Sequence, residues 1–439
     1  MKIPKRIAAS LMNALKGGVV PRIGLPYIAV GRKAEIDALL HDVAIIADGG
    51  ATFRFIVGKY GSGKSFLLQT IRNYVMDKNF VVADADLSPE RRLQGTKGQG
   101  LATYKELIRN LATKTRPEGG ALTLILDRWI SSVQSDTAAE RGLSPSDPAF
   151  EQAVEKRIYA VVSALEEMVH GFDFARLLTL YYRASRQGEE ETKAKVVKWF
   201  RGEYATKTEA KAELGVNIII TDDDWYDYIK LFSAFLQKAG YNGLLIFIDE
   251  LVNIYKIPNA ITRQYNYEKI LTMYNDTLQG KASHLGLILC GTPQCVEDTR
   301  RGLYSYEALR SRLAEGKFAR SGDTRDMLAP IIRLAPLTSE EMLVLVEKLT
   351  EIHGQLFDYT PAVGQADFIT FLQIEYGRIG ADTQITPREI IRDWIELLDI
   401  LYQNPNRSVT ELLSSEDFAF AQSAAEEEND AGAFAEFTI

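Results

Sequence analysis

The chain has 439 residues, with 51 Lys and Arg against 59 Asp and Glu and a formal net charge of -8. That length exceeds the usual ~100–200 residues of one domain, so two or three domains are expected. A composition of 46% hydrophobic and 25% charged residues excludes a wholly disordered chain, and the acidic balance excludes a protein that coats nucleic acid over its whole surface, though not one basic groove.

Two cysteines, Cys290 and Cys295, have no histidine nearby. They exclude a disulfide framework, argue against a zinc site and fit a reducing compartment. No stretch reaches about 18 consecutive apolar residues. The basic start, Met1 to Leu11, gives way to Lys16 and Gly17-Gly18 before a signal-peptide core forms. A cytoplasmic protein with no membrane segment is the expectation.

Residues 5–16 read as a short amphipathic helix, stopped by Gly17-Gly18 and Pro21. Ile28 to Ile36 then opens a helix running through Leu39-Leu40. Thr52 to Val57 is a candidate buried strand, and Phe80 to Ala83 a second. From about Leu87 to Gly240 the spacing turns helical. Phe150, Val154, Ile158, Val161, Leu165 and Met168 recur every three or four residues. Strand-like runs return at Gly243 to Ile248, Leu285 to Leu289 and Ile331 to Leu334, each between helical patterns. A parallel α/β sheet follows from that alternation. From Leu337 the chain is helical again. Glu426 to Ile439 carries five acids and no base, and is expected to be an acidic tail. Its last six residues, Phe434 to Ile439, alternate apolar and polar, a pattern suited to adding a strand to a partner's sheet.

Gly58-Lys59-Tyr60-Gly61-Ser62-Gly63-Lys64-Ser65 satisfies G-x-x-x-x-G-K-[ST] in full. Glycines let the backbone curl so that N–H groups point at phosphate oxygens. Lys64 is placed to reach the β and γ phosphates of ATP, and the Ser65 hydroxyl to bind Mg²⁺. Phe66 follows in the opening helical turn. Phe55-Ile56-Val57 precedes the loop as a strand. Leu67, Leu68, Ile71 and Val75 follow at helical spacing, so a helix N-terminus meets the anion. The apolar run Leu244 to Ile248 ends in Asp249-Glu250. Paired with the loop, Asp249 reads as the carboxylate that holds Mg²⁺ through water, and Glu250 as the group that polarises the attacking water. Glu250 favours a hydrolysing ATPase over a protein that only holds nucleotide.

Thr292, just past the Leu285–Leu289 run, is a candidate to hydrogen-bond the γ-phosphate or the lytic water. A plain Gly-Thr-Pro turn accounts for it equally well. Arg312, then Arg310, are candidates to neutralise transition-state charge at a neighbouring subunit's nucleotide. Thr386-Pro387-Arg388-Glu389 carries an N-cap, a proline at the first helical position and a capping box. The core face of that helix is Ile390, Ile391, Trp394, Leu397, Leu398 and Leu401. This puts Arg388 in the first turn, as a candidate phosphate sensor.

These features occur in one order. Ala14 to Pro21 comes first, then Ile28-Ala29-Val30-Gly31-Arg32, the phosphate loop, Asp249-Glu250 and Ile331 to Glu341. In that order they resemble AAA+ ATPases of the origin-recognition and STAND branches. More narrowly, the chain is similar to the BrxD family of ATP-binding proteins in BREX phage-exclusion systems. The narrower cues are Gly18-Val19-Val20-Pro21, Asp84 to Leu93 and Phe434 to Ile439.

The resemblance implies that Val30, Gly31 and Arg32 line the adenine pocket, beside Pro26, Tyr27 and Ile28. It implies an ATPase core of residues 37–86 and 241–336, preceded by an N-terminal helix and nucleotide-box approach over 1–36. Residues 87–240 would be a helical insertion, 337–425 a helical lid and 426–439 the tail. An ATP-hydrolysing switch or motor is implied, with Mg²⁺ as cofactor. It would act in a homo- or hetero-oligomer with other defence proteins and with double-stranded DNA as a candidate ligand. The alternative is a non-catalytic, nucleotide-gated scaffold. A P-loop kinase fits the Asp-Glu strand end and helical lid less well. Small basic groups (Arg91-Arg92 with Lys97; Lys2, Lys5 and Arg6) and the aromatics Trp199, Phe200 and Tyr204 leave nucleic-acid binding open, because core packing explains the aromatics equally well.

Overall fold

Five apolar runs become five parallel strands: β1 (Ala51–Val57), β2 (Val81–Asp86), β3 (Leu244–Asp249), β4 (Leu285–Gly291) and β5 (Ile331–Arg333). They form one sheet in the order β2-β3-β4-β1-β5. The computed structural model that carries this sheet describes residues 2–314, 316, 325–377 and 386–414. The acidic tail and its terminal hexapeptide lie outside the described residues. All seven residues of β4, and Phe53 to Val57 of β1, are buried. Parallel strands covered on both faces need such continuous hydrophobicity, and the expected α/β, P-loop NTPase-like sheet is the one found.

The ladder moves one boundary. β2 runs on past Ala83 to Asp86, because Asp84, Ala85 and Asp86 pair with Phe247, Ile248 and Asp249. Hydrophobicity stops at the first aspartate, but backbone pairing does not. The strand order also creates a crevice. β1 and β4 are neighbours, yet the chain leaves β1 for β2 at one edge and leaves β4 for β5 at the other. With right-handed crossovers these connections lie on opposite faces. Their carboxyl ends therefore part at a topological switch point, where ligands bind in open α/β sheets. Val57 pairs with Gly291, and the Gly58 N–H donates to the Gly291 carbonyl at 3.1 Å, carrying the pairing one residue past the strand.

A buried ion pair braces β1. Arg54 donates from Nε and Nη2 to the two Asp42 carboxylate oxygens at 2.6 and 2.7 Å. Its Nη1 reaches the Leu328 and Ala329 carbonyls at 2.7 and 2.5 Å. Each of the three guanidinium nitrogens donates, and such satisfaction is the condition under which a buried charge pair is tolerated.

The chain divides into two compact units. One is Met1–Lys33, Tyr60–Thr70 and Leu334–Ile439; the other is Ala34–Lys59 and Ile71–Arg333. The second contains the sheet, together with seven helices between β2 and β3 among the described residues. On the Pro148–Glu166 helix, Phe150, Val154, Ile158 and Leu165 are buried as the spacing predicts, with Val162 more deeply buried than Val161. Trp199, Phe200 and Tyr204 are buried too, and Phe200 makes edge-on ring contacts with Phe174 and Phe232. Burial makes these aromatics part of the core.

The first unit is helical. Its Lys5–Lys16 helix matches the expected span, and Gly17 caps it by donating to the Asn13 carbonyl. Ala8, Leu11, Met12 and Leu15 share a core with Val346 and Leu349 of the Ser339–Phe357 helix and Ile390, Trp394 and Leu398 of the Pro387–Gln403 helix. The capping box predicted at Thr386 and Glu389 is present, and a second forms between Thr338 and Glu341.

Candidate nucleotide site

Within the first unit, the phosphate loop is set in place by glycines and one arginine. Gly61 (φ +73°) and Gly63 (φ +86°) are left-handed, a conformation that favours glycine. Gly61 also has no spare room, since a Cβ there would sit 2.3 Å from the Thr386 Cβ. The N-cap of the Pro387–Gln403 helix therefore packs on the loop's first turn. Arg32, 6% exposed, donates from Nη2 to the Ser62 carbonyl at 2.9 Å and to the Ala335 carbonyl at 2.8 Å. The Arg32 guanidinium thus bridges the phosphate loop and the segment that leads to the Ser339–Phe357 helix.

Gly31 (φ +68°) lies against the N-terminus of that helix. A Cβ on Gly31 would meet the Glu341 carboxyl at 2.4 Å. Lys348 donates to the Ala29 carbonyl at 2.8 Å, and Val30 packs against the unit's core with Tyr27 and Phe66. Arg388 is exposed in the first turn of its helix, and its Cδ is 3.7 Å from where a Gly18 Cβ would be.

The loop suits a polyphosphate. The Lys64–Asp77 helix begins at Lys64 and has no acidic residue in its first turn, so its positive end is not neutralised from within the helix. Among the described residues the buried Ser62 hydroxyl has no hydrogen-bond partner. Lys64 lies over the Tyr60 ring, 5.5 Å from its centroid, and Ser65 is exposed. Among the described residues no group of three or more His, Cys, Asp or Glu is arranged to hold a metal ion alone.

In the second unit, the carboxyl end of the sheet gathers acids. Asp249 closes β3 opposite Asp86 on β2. Partial desolvation, then the Asp249 and Asp84 charges, raise the pKa of the Asp86 carboxyl. Glu250 has φ +62°, left-handed for a non-glycine residue, and its N–H donates to Asp249 Oδ1 at 2.7 Å. Backbone strain of this kind recurs at functional positions, and here it turns the chain sharply at the residue expected to polarise water.

Thr292 caps the short Pro293–Glu297 helix, with its hydroxyl 3.1 Å from the Cys295 sulfur. Cys290 is buried in β4 and Cys295 is also buried. Arg310 pairs with Glu307, and Arg312 donates to the Ala308 carbonyl at 2.7 Å; both arginines are exposed on the Glu307–Leu313 helix. Sequence reasoning missed Arg54, Asp42 and Asp86. Only the acids at the end of β2 left a local signal.

A parallel sheet with a G-x-x-x-x-G-K-S loop between β1 and a helix, and an acidic strand end at β3, defines a P-loop NTPase fold. The chain belongs to the BREX system ATP-binding protein BrxC/D family, whose model matches residues 3–417. No curated protein matches the chain. Among the described residues no helix is long and apolar enough to cross a membrane.

Proposed function

We propose that the chain is an ATP-hydrolysing AAA+ switch or motor of a BREX-type phage-defence system. The observation that carries the reading is the presence, in one chain, of a complete phosphate loop that opens a helix with no acid in its first turn, and of a strand that ends in Asp249 and a left-handed Glu250. Gly58 to Gly63 give the N–H groups that bind phosphate, and Lys64 adds a positive charge at the terminal phosphates. Ser65, and Asp249 through water, hold Mg²⁺, whose charge offsets that of the phosphates. Glu250 orients and polarises the attacking water. Thr292 is assigned to the γ-phosphate or the same water. Arg388 is assigned to phosphate sensing, and Arg312, with Arg310 as second choice, to a neighbouring subunit's nucleotide. Val30, Gly31 and Arg32 are assigned to the adenine.

Membership of a BREX family supports other defence proteins as partners, and an oligomer is implied if Arg312 acts in trans. Double-stranded DNA is the candidate ligand, and the cytoplasm the assigned compartment. Residues 87–240 are proposed as an insertion into a core of 37–86 and 241–336, residues 337–425 as a lid, and 1–36 as the approach to the nucleotide box. One test joins these points: ATP turnover and molecular mass measured together, with and without duplex DNA. Turnover in an oligomer, stimulated by DNA and lost in Arg312→Ala, supports the reading. ATP binding without turnover under any of these conditions favours the non-catalytic scaffold instead.

A further inference from the structure

A cavity in the second unit has no lining residue from the phosphate motif or the acidic strand end. Its volume is about 1140 Å³. One wall is the loop Arg92 to Gly98 with the first turns of the Gln99–Arg109 helix. The facing wall is the Ala260–Leu278 helix, which presents Thr262, Tyr265, Lys269 and Thr272 along one face.

The loop is locked before any ligand arrives. Buried Asn266 accepts the Leu93 and Gln94 N–H groups on Oδ1, both at 3.0 Å, and donates from Nδ2 to the Gln94 carbonyl at 3.0 Å. Trp225 Nε1 donates to the Leu93 carbonyl at 3.0 Å, and Thr103 to the Arg92 carbonyl at 2.7 Å. Asp222 accepts the Gly98 and Leu101 N–H groups at 2.7 and 2.8 Å. A loop this closely held is pre-organised, which is what a binding site requires.

The charges lining the cavity are unevenly committed. Four cations, Arg92, Lys97, Lys105 and Lys269, face four acids, Glu203, Asp222, Asp223 and Glu268. Three of those acids already accept protein donors: Asp222 as above, Asp223 from Gln94 Nε2 at 2.9 Å, and Glu268 from Gln264 Nε2 at 3.0 Å. Among the described residues Arg92, Lys97 and Lys105 have no ion-pair partner, and Arg92 Nε is buried without a hydrogen bond. Tyr265, which lines the same cavity, is 53% exposed and so has ring surface that a base could stack on.

We propose that this cavity is a second ligand site, which takes one nucleotide unit: a phosphate on Arg92, Lys97 and Lys105, and a base stacked on Tyr265. The balanced lining disfavours a long polyanion tracked through the cavity. Free lone pairs on its carboxylates suit the exocyclic amino group of a base. The unit is supplied either by a free mononucleotide or by an unpaired residue of a single strand.

The test is fluorescence anisotropy with a short fluorescein-labelled oligodeoxycytidylate, competed with unlabelled dCMP. It is run on the full chain and on Lys64→Ala, so that binding through the phosphate loop is separated from binding here. Tyr265→Ala and the double variant Lys97→Ala/Lys105→Ala should each weaken binding at least about tenfold in both backgrounds, with unchanged melting temperatures. Competition by dCMP assigns the site to free nucleotide, and oligonucleotide binding without competition assigns it to a strand; both support the proposal. Absence of binding by both probes, or binding equal in the variants and their parents, overturns it. A lost ATPase activity alone bears only on the phosphate loop.

Discussion

Two loops in this chain are built from the same local parts and finished differently. Gly63 and Gly98 are both left-handed, and each immediately precedes a helix, Lys64–Asp77 and Gln99–Arg109. The first helix starts with Lys64 and no acid in its opening turn. The second has the Asp222 carboxylate on its Gly98 and Leu101 N–H groups. A helix N-terminus presents bare donors and a positive dipole end, and some anion must answer them. Where the protein provides that anion, as Asp222, the end is structural. The Lys64–Asp77 helix carries no acid of its own in that turn, and the phosphate motif runs directly into it. The cations near the second loop therefore stand beside a helix end that Asp222 has capped, whereas Lys64 is itself the first residue of its helix.

Substitutions separate the two cases. Lys64→Ala should show the largest effect, a loss of ATP affinity of at least about a hundredfold by isothermal titration, because it removes the charge-assisted contacts assigned to Lys64 at the phosphates. Gly61→Ala should follow with a loss of about tenfold or more, since it adds left-handed strain and a Cβ that meets Thr386 at 2.3 Å. Gly98→Ala carries the same kind of backbone cost with nothing within 4 Å of the new Cβ. It should lower stability by about 1 kcal/mol in urea unfolding and leave ATP binding intact. Equal effects of the two glycine changes on ATP binding would remove the distinction between the loops. Asp222→Ala should cost about 0.5–2 kcal/mol, the range for losing a helix cap, again without a change in ATP affinity.

The smallest effect concerns the first unit's core. His353 is buried, bonded through Nε2 to Asp399 at 3.0 Å and through Nδ1 to the Tyr359 hydroxyl at 2.9 Å. Burial lowers its pKa against the opposing pull of Asp399, so the folded ring is neutral. As pH falls, the unfolded chain, with histidine near 6.5, takes up the proton first. The stabilising contribution is therefore whole above about pH 6.5 and is lost as pH falls from there toward the depressed folded value. Urea unfolding at pH 7.5 and 5.5 should show a larger loss for the native chain than for His353→Gln. An identical loss in both would remove His353 from the account.

Much of this was readable in the residues, for local reasons. The strand runs, the phosphate motif and the capping box at Thr386 all depend on neighbours within a few positions. What escaped depends on partners far along the chain. Arg32 meets carbonyls 30 and 303 residues away, and Asp222 caps an N–H 124 residues before it. Arg54 reads in sequence as a charge inside a strand, and only the fold supplies Asp42 and the carbonyls that accept it. The large cavity was invisible for the same reason. Arg92 and Lys97 stand out as a basic pair, but Tyr265 and Asp222 reach them only through tertiary packing.

The central claim is that Glu250 turns a nucleotide-binding loop into a hydrolysing one. The most direct measurement follows bound ATP and released phosphate in one sample, for the native chain and for Glu250→Gln, with Mg²⁺ present. The account predicts ATP retained at native affinity with phosphate release reduced at least about a hundredfold in the variant. Phosphate release undiminished in Glu250→Gln, or no release by the native chain alone and with its partners, would contradict it.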